Sequence, residues 1–368
     1  MQPTPDAATS PPAAQPAWAS TTDLPAIADW LRTKSNILLV THNKPDGDAV
    51  GSALAVSRAL RIALPAARVE VLFAGPVDHW AHTLASDGEF HVAAADQPGT
   101  RATVNDTLAG FDPDAILIQD TGSRSQLDGV WPWIESRAAD AAIIDHHRSG
   151  DPTIADRRVI NTEWAAVCQA SAELASLLLN AQSPTDLPRE VARLAFLGLA
   201  TDTGWFRHSN VTPETMRLAA DLIAVGIDHP SLLALIEHQD RPSRLRLKAR
   251  ALTNLELFDN DTLAIMTLRE QDFRDAHADT TESGGFTDDA LRVESVRAAA
   301  LITEVPGSEP PRCKLSLRSK PGPDIIDVNQ VAGVLGGGGH ANAAGARVEG
   351  SLQDARDALL AAIRKQTS

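Results

Sequence analysis

The segment NILLVTHNKPDGDAVGSALAVSRALRI, residues 36–62, joins an apolar run to a longer amphipathic stretch through a charged loop. Asn36 to Val40 is typical of a strand buried on both faces, because almost all its residues are aliphatic. Asp48 to Ile62 has the spacing of a helix. The loop between the predicted strand and the predicted helix contains His42 and Asp46, and Asp48 is the first residue of the helix. The negative charges of the two aspartates repel each other. This crowding predicts a positively charged ligand.

The same alternation continues to about residue 205 and predicts the fold class. Short apolar runs followed by amphipathic segments are typical of a doubly wound α/β domain with a mainly parallel sheet. Ligands of such domains bind beyond the carboxyl ends of the strands. The further predicted strands are Arg68 to Phe73, Ala115 to Ile118 and Ala141 to Ile144, and the further predicted helices are Ala165 to Leu179 and Pro188 to Leu199.

Four regions are predicted along the chain. Residues 1–20, rich in Pro and Ala, are expected to form a disordered tail. Residues 21–210 form the first domain, and residues 211–250 form a helical connector that begins with Thr212 as N-cap and Pro213 at the first helical position. Residues 251–368 form a smaller second α/β domain across a cleft. Its predicted elements are strands near Leu263 to Leu268, Arg297 to Thr303 and Arg312 to Leu317, an irregular piece at 283–285, and a helix from about Leu352.

Composition excludes several classes of protein. The net charge of −15 argues against a protein that coats long nucleic acids, because such binding depends on Lys and Arg. The two cysteines, Cys168 and Cys313, form neither a disulfide framework nor a cysteine zinc site. The N-terminal residues lack the features of a secretory signal, and no apolar stretch reaches the ~18 residues of a membrane span. We therefore expect a cytoplasmic protein without a membrane anchor.

Polar clusters follow three of the predicted strands, and a fourth lies at residues 201–204. Carboxylates and imidazoles without thiolates suit manganese, magnesium, iron or zinc, and hard oxygen-rich ligand sets favour manganese or magnesium. Four carboxylates also balance two divalent cations, and a pair of such ions about 4 Å apart both clamps a phosphoryl group and lowers the pKa of a bound water. The candidate ligands are His42, Asp46, Asp48, Asp120, His146 and Asp202.

Each of these residues alone has an ordinary structural explanation. Asp46-Gly47 is a turn signal, and Asp202 is the weakest candidate because it can simply cap a turn. The conjunction of HxxxDxD after NILLV and DHH after AAII favours the ligand interpretation, because such charge is costly near a core without a partner.

The motifs resemble those of the DHH family of phosphoesterases. They are HNKPDGDA at 42–49, QDTGS at 119–123, IDHH at 144–147 and TDTGWF at 201–206, and GGGGHANAAG at 336–345 resembles the signature of the DHH-associated C-terminal domain. The resemblance implies that one metal is held by His42 and Asp46 and the other by Asp48, His146 and Asp202. It further implies that Asp120 bridges both metals, that Asp145 orients an imidazole, and that His147 faces the substrate phosphate, so that the catalytic set is Asp120, Asp145 and His147.

The second domain is expected to bind the substrate. GGGG at 336–339 is either a flexible linker or an ordered loop whose N–H groups point at an anion, and alternation in KLSLRS at 314–319 equally fits a solvated strand face or a phosphate pocket. The family resemblance implies that Arg318 and His340 grip a terminal phosphate, and it predicts closure of the two domains over the ligand. The predicted substrate-binding residues are His147, Arg318, Gly337, Gly338, Gly339 and His340.

The family resemblance implies the leading functional hypothesis, which is a manganese-dependent hydrolase of short RNA or DNA oligonucleotides or dinucleotides, and of 3′-phosphoadenosine 5′-phosphate. A soluble cyclic dinucleotide phosphodiesterase is one alternative, and a non-catalytic nucleotide-binding regulator on the same scaffold is another. Turnover of these substrates with manganese separates the three. A homodimer is expected on base rates alone.

Overall fold

The structure, a computed structural model, describes residues 17–93, 108–127, 130–135, 137, 140–322 and 325–367. The chain divides into two compact units, Met1–His238 and Gln239–Ser368. The division falls inside the segment 211–250 that the sequence predicts as a connector. Each unit is described here by itself.

The first unit contains one six-stranded sheet in which every pair of neighbours is parallel. Its order, β3-β2-β1-β4-β5-β6, places the first strand beside the fourth. All four predicted strands are confirmed, whereas two short strands, β3 and β6, escaped prediction. The strands are β1 Asn36–Val40, β2 Arg68–Ala74, β3 His91–Ala93, β4 Ala115–Gln119, β5 Ala141–Asp145 and β6 Arg157–Ile160.

Helices cover both faces of this sheet, which confirms the doubly wound α/β prediction. Two of the three predicted helices are almost as expected, but the third extends three residues further and includes Asp202, which was expected in a loop. The described α-helices are α1 Leu24–Arg32, α2 Gly47–Ala63, α3 His79–Leu84, α4 Trp131–Glu135, α5 Val167–Leu179, α6 Arg189–Asp202, α7 Pro213–Ala224 and α8 His229–Glu237. As predicted, Thr212 caps α7 and Pro213 is its first residue.

The continuous apolar strands are explained by burial on both faces. In β1, Ile37 and Leu39 belong to the core cluster shared with α2, α5 and α6, whereas Leu38 and Val40 belong to a second cluster that includes Ile134 of α4. Successive side chains of a strand point to opposite faces, so both faces of β1 are covered. The sequence of a central parallel strand therefore contains no polar face.

Residues 17–22 lie against the sheet edge and correct part of the predicted tail. Residues 1–16 are outside the described residues, but Ser20 Oγ donates a hydrogen bond to Ile160 O (2.9 Å) and accepts one from Ile160 N (2.8 Å). Thr21 Oγ1 likewise donates to Asp156 O and accepts from the N–H of Arg158. These bonds satisfy backbone groups of β6, which as an edge strand would otherwise expose them.

The second unit is a smaller domain built on a mixed six-stranded sheet, in agreement with the predicted α/β class. Among the described strands of this unit, only the β8–β9 pair is parallel, and the order is β11-β12-β10-β9-β8-β7. The predicted irregular piece at 283–285 starts at Ser283, the last residue of a 3₁₀ turn, and ends directly before a short helix. The elements are α9 Pro242–Thr253, β7 Glu256–Phe258, β8 Leu263–Leu268, α10 Glu270–Ala276, α11 Phe286–Ala290, β9 Ala298–Glu304, β10 Arg312–Ser319, α12 Val328–Val334, β11 Gly338–His340, β12 Ala343–Glu349 and α13 Leu352–Thr367.

No single described helix has both the length and the apolarity to cross a bilayer. Helices α7 and α8 meet that criterion only when counted together, and they are bent by 111° to each other.

Close packing of α2 against α5 and α6 depends on glycine. A Cβ atom at Gly51 would lie 2.6 Å from Leu194 O, and one at Gly198 would lie 2.2 Å from Cys168 Sγ and 2.7 Å from Asp48 Oδ1. Asp48 is therefore held where three helices meet with no room for a methyl group.

We predict that Gly198→Ala destabilises the first unit by about 2 kcal/mol, because overpacking outweighs the gain in helix propensity. Gly333→Ala in α12 is the control, since a Cβ there meets nothing within 4 Å, and we expect it to stabilise by up to about 1 kcal/mol. Denaturant unfolding of both variants measures the difference. Equal free energies of unfolding would contradict the close packing.

Candidate active site

Strands β1 and β4 are neighbours whose connections leave in opposite directions, and ligand sites of doubly wound sheets lie at this switch point. The loop after β1 carries His42 and Asp46, and Asp120 directly follows β4. Asp46 caps α2 by accepting hydrogen bonds from the N–H groups of Asp48 and Ala49. Capping thus fixes the position of this carboxylate.

One group of candidate ligands consists of His42, Asp46 and Asp120. His42 Nε2 lies 3.7 Å from Asp46 Oδ1 and 3.5 Å from Asp120 Oδ2. The three side chains each place one ligand atom within 4.8 Å of the others. They therefore surround a common point.

A second group consists of Asp48, His146 and Asp202, which meet the same criterion. His146 Nε2 lies 3.6 Å from Asp202 Oδ2 and 3.4 Å from Asp120 Oδ1. Asp202 is the last residue of α6, where the helix dipole is negative and disfavours a carboxylate. A cation at this position would offset that cost.

The carboxylate of Asp48 also accepts hydrogen bonds from the first N–H groups of α5. The N-cap residue of that helix, Ala166, has no capping side chain, and instead Asp48 accepts hydrogen bonds from Val167 N (2.6 Å) and Cys168 N (2.9 Å). Each carboxylate oxygen retains a second lone pair. Asp48 can therefore join α2 to α5 and still act as a ligand.

Asp120 lies between the two groups. It is 3% exposed, and its φ of 63° puts the backbone in the left-handed region, which turns the chain sharply at the end of β4. Its Oδ1 atom is buried and has no hydrogen-bond partner among the described residues. Leaving a buried carboxylate oxygen unpaired is costly, which points to a ligand outside the polypeptide.

Both histidines of the two groups present the same nitrogen inward. His42 Nδ1 lies 2.9 Å from Asn43 O, and His146 Nδ1 lies 3.1 Å from Trp164 O. A carbonyl oxygen can only accept, so Nδ1 carries the proton and Nε2 is left for a cation in the neutral ring. This tautomer is typical of metal-binding histidines.

The pKa values follow from the crowding of charge. Burial lowers the pKa of His42 and His146, but Asp120 and the other carboxylates outweigh it and raise the two values to about 11 and about 10. Burial raises the pKa of Asp202 to about 6, and burial with the charges of Asp120 and Asp202 raises that of Asp48. Burial would also raise the pKa of Asp120, but His146 and His42 lower it. Positive charge is therefore the condition for keeping these carboxylates ionised together.

His147 is held differently from the other two histidines. Its Nδ1 lies 2.7 Å from Asp145 Oδ1, which also accepts the N–H groups of residues 146 and 147. The side chain of His147 is 55% exposed, and its contact with Asp145 uses Nδ1 and not Nε2. The hydrogen bond that His147 donates to Asp145 raises the pKa of His147 despite partial burial. Asp145 therefore orients the ring of His147 rather than that of His146.

The donor set fits divalent cations. Oxygen and nitrogen atoms that each lie about 2.1 Å from one ion are separated from one another by about 3 to 4 Å. The separations of 3.4 to 3.7 Å between His146 or His42 and their carboxylates fall in this range. Carboxylates and imidazoles without a thiolate favour a hard or borderline ion.

Comparison with known proteins assigns the family. Residues 36–199 match the model for the DHH family, N-terminal domain, and residues 260–368 match the DHHA1 domain. The bifunctional oligoribonuclease and PAP phosphatase NrnA of Thermus thermophilus is 30% identical over 333 residues, which are 90% of this chain and 90% of that protein. The chain belongs to the DHH family. The sequence-based expectation of an enzyme that hydrolyses phosphate esters is confirmed by this membership.

Two further relatives bear on function and fold. The cyclic-di-AMP phosphodiesterase PdeA of Listeria monocytogenes is 24% identical, and the match covers 92% of this chain but 49% of that protein. The crystal structure of an exopolyphosphatase-related protein from Bacteroides fragilis superposes with a TM-score of 0.78 at 21% identity, covering 93% of this chain and 95% of that one. This DHH-family chain therefore shares its fold with the latter over nearly its whole length.

In the DHHA1 domain, Arg318 and His340 lie on either side of one residue. Arg318 of β10 and His340 of β11 both pair in register with Ala343 of β12. Directly opposed residues point to the same face of a sheet, so the side chains of Arg318 and His340 share a face with only a small alanine between them. Lys314 and Ser316 alternate onto the face of Arg318, as the sequence predicts.

The glycine run of the DHHA1 domain does not form the predicted anion nest. The N–H of Gly337 donates to Ala332 O (2.8 Å), and that of Gly339 donates to Asn329 Oδ1 (2.8 Å). Gly336 follows α12 with φ of 76°, the usual place for a helix-ending glycine. The N–H groups of Gly337 and Gly339 thus have partners within the protein and Gly338 lies in β11 opposite Gly345, while a role of the three glycines in substrate binding stays a prediction.

The sequence gives no indication of several groups that shape the DHH site. The carbonyls of Asn43 and Trp164 fix the imidazole tautomers, and the N-terminus of α5 binds Asp48. Backbone groups carry no residue-type signal, so no motif could have revealed them. Trp18, whose indole donates to His147 O, lay in the expected tail.

We predict that the aspartates divide between two metal sites. Asp46→Asn and Asp48→Asn should each bind about one manganese ion per chain where the parent binds about two, and Asp120→Asn should lose affinity for both. Metal analysis after equilibrium dialysis measures this. Asp87→Asn, at an exposed position of the same unit, controls for charge. Two ions retained in Asp120→Asn would contradict the shared position of that residue.

Proposed function

We propose that this protein is a two-metal phosphoesterase that hydrolyses short oligonucleotides or dinucleotides to mononucleotides and also accepts 3′-phosphoadenosine 5′-phosphate. The observation that carries the proposal is that the six candidate ligands form two groups around buried Asp120, whose Oδ1 has no hydrogen-bond partner among the described residues. The cofactors would be two divalent cations, with manganese preferred to magnesium because imidazole is among the donors.

Two such ions would lower the pKa of a water molecule and neutralise charge on the phosphate. His42 and Asp46 would hold one ion, Asp48, His146 and Asp202 the other, and Asp120 would contact both. Asp120 groups with His42 and Asp46 and also with His146, which supports this division.

His147 would act on the substrate phosphate. The hydrogen bond to Asp145 Oδ1 engages Nδ1 and raises the pKa of His147, which favours the ring form that carries a proton on Nε2. An N–H donor aimed at a phosphate oxygen stabilises the negative charge that develops as the ester bond breaks. Asp145 would contribute by holding the ring in that orientation.

The substrate class is supported by charge and by the relatives. A net charge of −15 disfavours binding of long nucleic acids. The Thermus thermophilus relative is named as both an oligoribonuclease and a PAP phosphatase. The name of the Listeria monocytogenes relative supports a cyclic dinucleotide as the alternative substrate. Arg318 and His340 would bind a terminal phosphate or nucleotide.

A cytoplasmic location and a homodimer remain part of the proposal. Cys168 and Cys313 are both free and buried, which suits a reducing compartment.

We predict that the protein with manganese releases mononucleotides from a 5′-labelled dinucleotide, and that Asp120→Asn lowers kcat at least about 100-fold because charge in the transition state loses its stabilisation. Asp87→Asn is the matched control and should retain activity. Faster turnover of cyclic di-AMP than of the linear dinucleotide would favour the alternative substrate. No turnover of any of these with several divalent metals would favour the non-catalytic regulator.

We predict that Arg318→Ala and His340→Ala each raise KM for 3′-phosphoadenosine 5′-phosphate about tenfold with a smaller change in kcat, because each removes a charge-assisted contact. Arg312→Ala serves as control, since Arg312 pairs with Glu349 on the same strand pair. An unchanged KM in both variants would remove these residues from the substrate site.

A further inference from the structure

The indole of Trp18 is held between two loops of the DHH site. Trp18 is half-buried and packs against the core cluster that contains Leu127 and Ile154. Its Nε1–H donates a 3.0 Å hydrogen bond to His147 O. The loop after β5, which contains His147, is therefore hydrogen-bonded to a residue that lies more than a hundred positions earlier in the chain.

Two glycines make room for this ring. A Cβ atom at Gly122 would lie 2.1 Å from Trp18 Cη2, and one at Gly150 would lie 2.4 Å from Cζ2. Neither glycine has a positive φ, so their backbone conformation is open to other residues. The volume of the indole is thus the reason that these two positions require glycine.

The two loops that flank the ring both carry groups of the site. Gly122 follows Asp120 by two residues, and Gly150 follows His147 by three. The loops are also joined directly, because Asp151 N donates to Gly122 O at 2.7 Å. Trp18 fills the space beside this single backbone bond.

The chain before α1 is anchored strongly enough to hold the ring in place. Ser20 and Thr21 each form paired side-chain hydrogen bonds with the edge of β6, and Arg158 Nε donates to Ala19 O. Because these bonds lie within three residues of Trp18, the indole position is determined by the sheet and not by the loops that it contacts.

We infer that Trp18 is a positioning residue for His147, which it holds by tying the loop after β5 to the loop after β4. The inference rests on the proposed role of His147 at the substrate phosphate. The backbone of His147 is fixed by the indole, and its ring is fixed by Asp145, so both ends of the residue are constrained. Free motion of the loop would misplace Nε2 from the phosphate.

Variants of Trp18 test the inference in the full-length protein. We expect Trp18→Ala to lower kcat for the dinucleotide about tenfold with KM changed by less than about twofold, since misplacing a group that acts in the transition state reduces kcat. Trp18→Phe keeps most of the ring and loses the indole N–H, so an effect of about threefold is expected. Trp30→Phe is the matched control, because the buried Trp30 Nε1 has no hydrogen-bond partner among the described residues.

A double-mutant cycle separates positioning from general stability. In a His147→Ala background, Trp18→Ala should cost less than about twofold in kcat, because the residue that it positions is gone. An undiminished tenfold loss in that background, or unchanged kcat in Trp18→Ala, would overturn the inference.

Hydrogen exchange provides a readout that does not require activity. Peptides spanning residues 145–151 should exchange faster in Trp18→Ala than in the parent, whereas Trp30→Phe should leave them unchanged. If the parent hydrolyses no nucleotide, the proposed function fails, and the exchange result still decides whether Trp18 holds the loop. Unchanged exchange in Trp18→Ala would contradict the inference that Trp18 holds the loop after β5 against the loop after β4.

Discussion

Buried negative charge at Asp120 is the constraint on which the site depends. The parallel sheet puts β1 beside β4, and the sharp turn after β4 aims this carboxylate at the residues that follow β1 and β5. The pKa of Asp120 is lowered by nearby positive charge, and in the protein without bound ions that charge comes from the imidazoles of His42 and His146. Divalent cations would replace the Nε2 proton of each ring, since both rings are already turned with Nε2 inward.

The fold could be predicted largely because its central strands leave clear signals. A strand such as β1 or β4, covered on both faces, has a continuous apolar sequence, and the polar clusters that follow three such strands mark one edge of the sheet. The edge strands β3 and β6 are only three and four residues long, so they lack enough residues for a pattern. The extension of α6 to Asp202 was missed because helix ends are set by tertiary contacts as much as by propensity.

The candidate site was predictable in residue identity and less so in geometry. Motif positions bring His42, Asp46 and Asp120 into one group, as the family resemblance implies, but the carbonyls that select the histidine tautomers have no sequence signature. The partners of the Gly337 and Gly339 N–H groups could not be predicted, because a run of glycines does not reveal which N–H groups are already bonded. The contact of Trp18 with the site was not predicted, because the Pro- and Ala-rich composition of residues 1–20 indicated a disordered tail.

Anomalous diffraction from crystals grown with manganese tests the central claim, that Asp120 is shared between two cation sites, most directly. The account predicts two peaks in the first unit, one beside His42 and Asp46 and the other beside Asp48, His146 and Asp202, each about 2.2 Å from an oxygen of Asp120. A single peak, or two peaks of which one lies beyond the reach of Asp120, would contradict it.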